Sequence, residues 1–246
     1  MNTLEAVSRA MVCTENGRDD SVLMQGLSEP ASDCLPVLWA DEHLVVADKQ
    51  AGLLCVPGRG PGKQDCLATR LQQAFPDACV VHRLDMATSG IWLMARGAGA
   101  QRVLNRAFAE RRVDKRYVAV VAGRPEARAA DDGWALIDLP IAADWPNRPR
   151  RVVDPQRGKP SQTRWRVLGY DALAGTTRLE LAPVTGRSHQ LRVHLMAIGH
   201  PIVGDALYAP ADGAARSQRL LLHATGLALV HPQTGERMSF ASPAPF

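Results

Sequence analysis

Residues 81–90 read VHRLDMATSG, which sets His82, Arg83, Asp85, Thr88 and Ser89 close together in one short polar stretch. A carboxylate in such company can act as a nucleophile or accept a proton, provided that a cation accompanies it in a dry cleft. A lone aspartate in a loop can equally be a turn or cap residue, so the surrounding residues carry the argument. Thr88, Ser89 and Gly90 can close a tight turn around Asp85. Arg187, in the polar turn TGRSHQ ahead of a helical pattern, is the candidate cation.

Other chemistries lack their residues. The chain has no G-x-S-x-G elbow, no G-x-G-x-x-G after a strand and no paired acidic motif for metal-bound phosphoryl transfer. PGRGPGKQ at 57–64 has the glycines of a phosphate cradle without the Walker spacing and reads as a turn. His189, His194 and His200 are separated by five and six residues, which does not put them on one helical face. Cys13, Cys34, Cys55, Cys66 and Cys79 include no C-x-x-C pair and are odd in number, the usage of reduced structural thiols. The expected chemistry therefore needs neither metal nor cofactor.

The elements that must position Asp85 follow from the apolar pattern. The runs CVV and IWLM on either side of the polar stretch read as buried strands feeding a loop. PVLWADEHLVVADKQAG reads as strand, turn and strand, with order beginning near Leu35. Asp65 suits the N-cap of a helix DCLATRLQQAF, whose Leu67, Leu71 and Phe75 recur at helical intervals. GAGAQRVLNRAFAERR predicts a second helix with Val103, Leu104, Ala107 and Phe108 inward and its arginines outward. KRYVAVVAG is a strand, and residues 163–184 read as two strands around an AGTT turn. TGRSHQLRVHLMAIGHPI predicts a third helix from a Ser/Thr cap, with Leu191, Leu195 and Ile198 inward, stopped by Gly199 and Pro201. RLLLHA, LALVHP and RMSFA read as three closing strands. Strands outnumber helices and short turns join several neighbours, so the expected class is α+β: a mixed, largely antiparallel sheet with packed helices and loops.

A composition of 46% hydrophobic and 22% charged residues is that of a globular chain, and no apolar run reaches the roughly 20 residues that span a bilayer. Acids stand where a signal peptide would carry bases, so a cytoplasmic location is expected. Residues 1–34 hold six acidic against two basic side chains, a net −4, which leaves +8 on residues 35–246 of a chain whose total is +4. The first segment reads as a mobile acidic extension, the second as one domain with a body suited to a polyanion. Arg148, Arg150, Arg151 and Lys159 belong to a basic hairpin region, with Trp145 and Trp165 interleaved, that fits a nucleic-acid backbone.

Four blocks then bear a family resemblance. HRLDMATSG at 82–90, KRYVAVV at 115–121, TGRSHQLRVHLMAIGHPIVGDALY at 185–208 and RLLLHA at 219–224 resemble, in the same order, the sequence blocks of the RluA family of pseudouridine synthases. VPGR, DLPIAADWPNRP and GKPSQT are similar to members that act on both 23S rRNA and the tRNA anticodon arm. The resemblance implies an Asp85 nucleophile, Arg187 as its paired cation, Tyr117 packed on a flipped uracil and Leu222 as an apolar contact to the base. It implies that Arg83 enters the RNA beside the extruded nucleotide, with His82 and Thr88 next to it. Base flipping is needed because the glycosidic bond and C5 cannot be worked on together in a stacked helix. Many relatives begin with an S4 RNA-binding domain, for which residues 1–34 are too short and of the wrong charge. A monomer without an obligate protein partner is expected. The alternatives are a synthase of this family with another rRNA or tRNA target, and a noncatalytic RNA-binding chaperone.

Overall fold

The computed structural model describes residues 35–126, 130 and 132–246; the acidic extension at 1–34 and part of the 124–133 loop lie outside them. Asp41 shows how local chemistry starts the order. Its Oδ1 accepts from the backbone N–H groups of His43 and Leu44, at 2.7 and 2.9 Å, and so turns strand β1 (Val37–Ala40) back as β2 (Leu44–Lys49). Helix α1 (Leu67–Ala74), β3 (Ala78–Val80), β4 (Ser89–Arg96), α2 (Gly97–Ala109) and β5 (Asp114–Ala122) follow. Then come β6 (Ala135–Asp138), β7 (Ile141–Ala143), β8 (Arg151–Val153), β9 (Gln162–Asp171) and β10 (Thr176–Pro183). Helices α3 (Gln190–Ala197) and α4 (Ala211–Ala215) precede β11 (Leu222–Val230) and β12 (Arg237–Ala241).

The main sheet runs β1-β2-β4-β11-β5-β10-β9-β6, with β12 also on β11 and β3 also on β4, while β7 and β8 form a separate hairpin. Among the described strands every pairing is antiparallel except β4 with β11. This is the mixed, largely antiparallel α+β architecture that the apolar pattern predicts. β4 is buried on both faces, which explains its uninterrupted run IWLM. Trp92 and Met94 pack with α1, whereas Ile91 and Leu93 pack with α2. A third cluster joins Ala119 and Val121 of β5 to Leu179 and Leu181 of β10 and to Leu191 and Leu195 of α3.

The parallel pairing fixes where the polar loop emerges. His223 sits opposite Ser89 and Ala224 opposite Gly90, so residues 81–88 open at the middle of the sheet. Gly90 has φ 107°, and a Cβ there would lie 2.6 Å from the Ala224 nitrogen; only glycine fits the junction.

Several local expectations shift. Cys66, not Asp65, caps α1, its Sγ accepting from Thr69 N–H at 3.4 Å; Asp65 instead makes a two-pronged ion pair with Arg70 at 2.7 and 2.8 Å. The inward face of α2 is Ala100, Leu104 and Ala107, leaving Val103 exposed. α3 starts at Gln190, because His189 takes a left-handed conformation (φ 57°) that ends the preceding turn. The second half of RLLLHA and most of LALVHP form one strand, β11, with a register irregularity between Ala224 and Gly226 absorbing the interruption.

Candidate functional site

The Asp85 loop is tied down from below. Buried Lys49 donates to the carbonyls of Gln50, Leu53 and Met86 at 2.8, 2.7 and 3.0 Å, using all three ammonium protons. Burial pulls its pKa to about 8. Gly52 N–H also donates to Met86 O, at 2.9 Å, and Thr88 N–H closes the turn on Asp85 O at 3.0 Å. Leu84 N–H donates to the Cys55 thiol at 3.2 Å, which burial pushes up to about 11. Asp85 is therefore presented from a fixed loop into a cleft of about 510 Å³.

Two side chains bracket the carboxylate. Arg192 Nη1 lies 3.5 Å from Oδ2, and His189 Nε2 lies 3.9 Å from Oδ1. Arg192 is aimed by Asp205, which accepts from its Nε and Nη2 at 2.8 and 2.7 Å, both side chains being buried. His189 is aimed by Tyr208, whose hydroxyl lies 2.6 Å from Nδ1 and accepts from Arg151 N–H at 2.8 Å. The hydroxyl keeps its one proton to donate to Nδ1; in that tautomer a neutral His189 carries its own proton on Nε2, facing Asp85. Burial, opposed by the Asp85 charge, holds the His189 pKa below its ordinary value and favours that neutral form.

The opposite wall is made for a flat apolar group. Tyr117 of β5 and Leu222 of β11 line the cleft, brought together because Ala224 and Leu222 pair with Tyr117 and Ala119. Burial and then the Asp85 charge raise the Tyr117 pKa, keeping the phenol protonated. Lys115 adds a cation to the same wall. An anionic carboxylate, an oriented cation, a neutral imidazole and an aromatic face thus converge on one cavity. That set can bind a planar base attached to a polyanionic chain and attack the sugar or base that it carries.

Asp85, Tyr117, Leu222, Thr88 and Arg83 of the sequence-predicted residues do meet at this cleft, Arg83 exposed at its rim and without a hydrogen-bond or ion-pair partner among the described residues. Arg187 does not pair with Asp85. It is exposed in the turn before α3, where its backbone N–H donates to Gln190 Oε1 at 3.0 Å; Arg192, in the first turn of α3, faces inward and takes the pairing. His82 is a wall residue: Leu93 N–H donates to its Nε2 at 3.0 Å, its ring stacks on Phe108 at 4.7 Å, and burial pulls its pKa to about 3.

The basic hairpin exists as β7 and β8, with Arg148 and Arg150 exposed in its turn and Lys159 exposed just beyond. Arg151 is half-buried beside Tyr208, and Trp165 is a core residue. Arg164 and Arg166 turn to Asp132 and Glu180, and with Arg116 surround the Trp134 ring. His194 and His200 are engaged separately, His194 with Thr163 and Leu139, His200 with Ala122.

Sequence reasoning missed Arg192, His189, Tyr208, Asp205 and Lys49. The signal for Arg192 was an arginine flanked by Leu191 and Val193 on an inward face, with an acid, Asp205, at hand in the following GDALY.

Known proteins resemble this chain over most of its length. Residues 43–197 match the family model described as RNA pseudouridylate synthase. The dual-specificity RNA pseudouridine synthase RluA of Escherichia coli K12 is 47% identical over 223 residues, 91% of this chain and 99% of that protein. The protein of the same name from Yersinia pestis is 49% identical over 85% of this chain and 99% of its own length. Among solved structures, human RNA pseudouridylate synthase domain containing 1 superposes with a TM-score of 0.69 at 31% identity, covering 89% of this chain and 87% of that one. With the matched model spanning the Asp85 loop, the Tyr117 strand and helix α3, the chain belongs to the RNA pseudouridylate synthase family.

Proposed function

We propose that this chain isomerises uridine to pseudouridine at selected positions in stem-loops of 23S rRNA and of the tRNA anticodon arm. The observation that carries the reading is the Asp85 carboxylate, held between Arg192 and His189 and facing Tyr117 and Leu222 across one cleft. The dual specificity rests on the identity of about 47% with proteins named dual-specificity synthases.

In this reading the target uridine leaves the stack and enters the cleft, where its ring packs on Tyr117 and against Leu222. Asp85 acts as nucleophile while the N1 glycosidic bond breaks. The base turns, C5 joins the ribose, the bond to Asp85 breaks and frees its carboxylate, the C5 proton leaves and N1 gains one, so that the product is an isomer of the substrate. Arg192 compensates the carboxylate charge and fixes its orientation, and Tyr117 supplies a face that any pyrimidine ring can use. Arg83, exposed and uncommitted, suits the space vacated by the flipped nucleotide, its planar head able to stack or to meet a phosphate. The exposed bases of the hairpin, Arg148, Arg150 and Lys159, suit the backbone of the stem. The enzyme is read as a cytoplasmic monomer that needs no protein partner.

Pseudouridine mapping of rRNA and tRNA from cells with and without the gene tests this. Loss of one or more sites in both RNA classes on deletion is expected; loss in one class alone would refute dual specificity, and no loss would refute the reading.

A further inference from the structure

Trp145 is the most exposed aromatic ring among the described residues, at 68%. It stands in the turn between β7 and β8, and that turn is braced. Asn147 donates to both carboxylate oxygens of Asp144 at 3.1 and 3.0 Å, Arg150 N–H to Asn147 O at 3.0 Å and Asp144 N–H to Arg150 O at 3.2 Å. The Arg148 guanidinium carbon lies 3.4 Å from the Trp145 ring centroid, so one face of the indole is covered by a cation. The ring is held at the mouth of a cleft of about 470 Å³ that Arg151, Lys159 and Arg187 also line.

The charge of that cleft is one-sided. Its only acid among the described residues, Asp154, already accepts from the backbone N–H groups of Gln156 and Arg157 and from Arg157 Nε, at 3.0, 3.0 and 2.9 Å. Arg151 Nε is enclosed and has no hydrogen-bond partner among the described residues. Residues 186–188 form a wall shared with the Asp85 cleft, so whatever chain enters one cavity passes beside the other. An exposed indole backed by a guanidinium, with cations behind it, matches a nucleotide: a base for the ring and a phosphate for the cations.

We propose that this cleft is a second nucleotide subsite, in which Trp145 stacks on a base of the bound RNA other than the target uridine while Arg151, Lys159 and Arg187 take its phosphates. The proposal rests on the stem-loop reading above. Its role is selection: a stem-loop is accepted only if a second base is free to leave the stack and reach Trp145.

The test pairs protein and RNA changes in the full chain. Affinities of wild type, Trp145→Ala and Trp145→Phe are measured for a stem-loop and for a series of the same stem-loop with a single abasic nucleotide at each non-target loop position. At one position the abasic change is expected to weaken wild-type binding by about tenfold. Trp145→Ala should weaken binding of the intact stem-loop by a similar factor and show no further loss with that abasic RNA, while Trp145→Phe keeps most of the affinity. Losses that multiply at every position, or no loss in Trp145→Ala, would overturn the subsite. Binding is read separately from turnover, so an absence of pseudouridine in every stem-loop would instead count against the substrate reading.

Discussion

Arg192 approaches Asp85 to 3.5 Å with one nitrogen while its other two polar nitrogens are locked on Asp205 at 2.7 and 2.8 Å. The cation beside the candidate nucleophile is therefore fixed before any substrate arrives. Its loss should be felt twice. Arg192→Met leaves Asp205 buried without its cation, which should cost about 3–5 kcal/mol of stability, and leaves Asp85 without its oriented partner. A fall in single-turnover rate of about a hundredfold or more is expected. Arg187→Ala should retain stability and rate and weaken RNA binding only severalfold. Denaturant unfolding together with single-turnover kinetics on both variants checks this; a larger rate loss in Arg187→Ala than in Arg192→Met would reverse the assignment.

Tyr208→Phe removes the hydroxyl that lies 2.6 Å from His189 Nδ1. With the hydroxyl as donor that hydrogen bond favours the neutral ring; burial does the same, while Asp85 and Asp205 pull towards the charged ring and Arg192 and Arg151 push against it. With the hydroxyl as donor, its loss should raise the His189 pKa. If turnover tracks neutral His189, the acid limb of the rate against pH should move to higher pH in the variant, with the alkaline side unchanged. An acid limb that stays in place would separate Tyr208 from the chemistry.

His82 predicts a pH dependence of stability with a definite sign. Its folded-state pKa is about 3, depressed by burial, against an unfolded value near ~6.5. Between those values the unfolded chain binds a proton that the folded chain refuses, so stability present above about pH 6.5 is lost as pH falls, by about 1.4 kcal/mol per pH unit. His82→Gln keeps an acceptor for Leu93 N–H and removes the titration. Comparing unfolding free energies at pH 7 and pH 5, the variant should lose less than the wild type; equal losses would mean that His82 titrates normally.

Gly90→Ala should be among the most damaging single substitutions outside the cleft. An added Cβ would collide with the Ala224 backbone at φ 107°, and a cost of about 3 kcal/mol or more, or failure to fold, is expected. Gly97→Ala is the control: φ is 75° but nothing lies within 4 Å of a Cβ there, so about 1 kcal/mol is expected. Thermal melts of the two variants give the comparison.

The loop around Asp85 was legible because a polar stretch between two apolar runs must surface where two buried strands end, and Tyr117 and Leu222 followed from the family blocks. Arg192 was not legible by period alone. An arginine in QLRVHL looks like the polar face of an amphipathic helix until Asp205 supplies a reason for it to turn inward. The sheet order was equally hidden, since the parallel pairing of Ser89 with His223 joins residues 134 apart and depends on Gly90 admitting the Ala224 backbone. The Cys66 cap displaced the stronger capper Asp65 because Arg70 claimed the carboxylate. Charge counting overstated the hairpin: Arg164 and Arg166 belong to β9, where acids and Trp134 hold them.

Asp85→Asn keeps the shape of the side chain and removes its charge, so folding and RNA affinity should be nearly those of the wild type. Its chemistry should not survive. Tritium release from C5-labelled uridine in a stem-loop RNA, at saturating enzyme, reads the isomerisation itself. If Asp85 is the nucleophile, Asp85→Asn gives no release above background, whereas release at the wild-type rate would contradict that role.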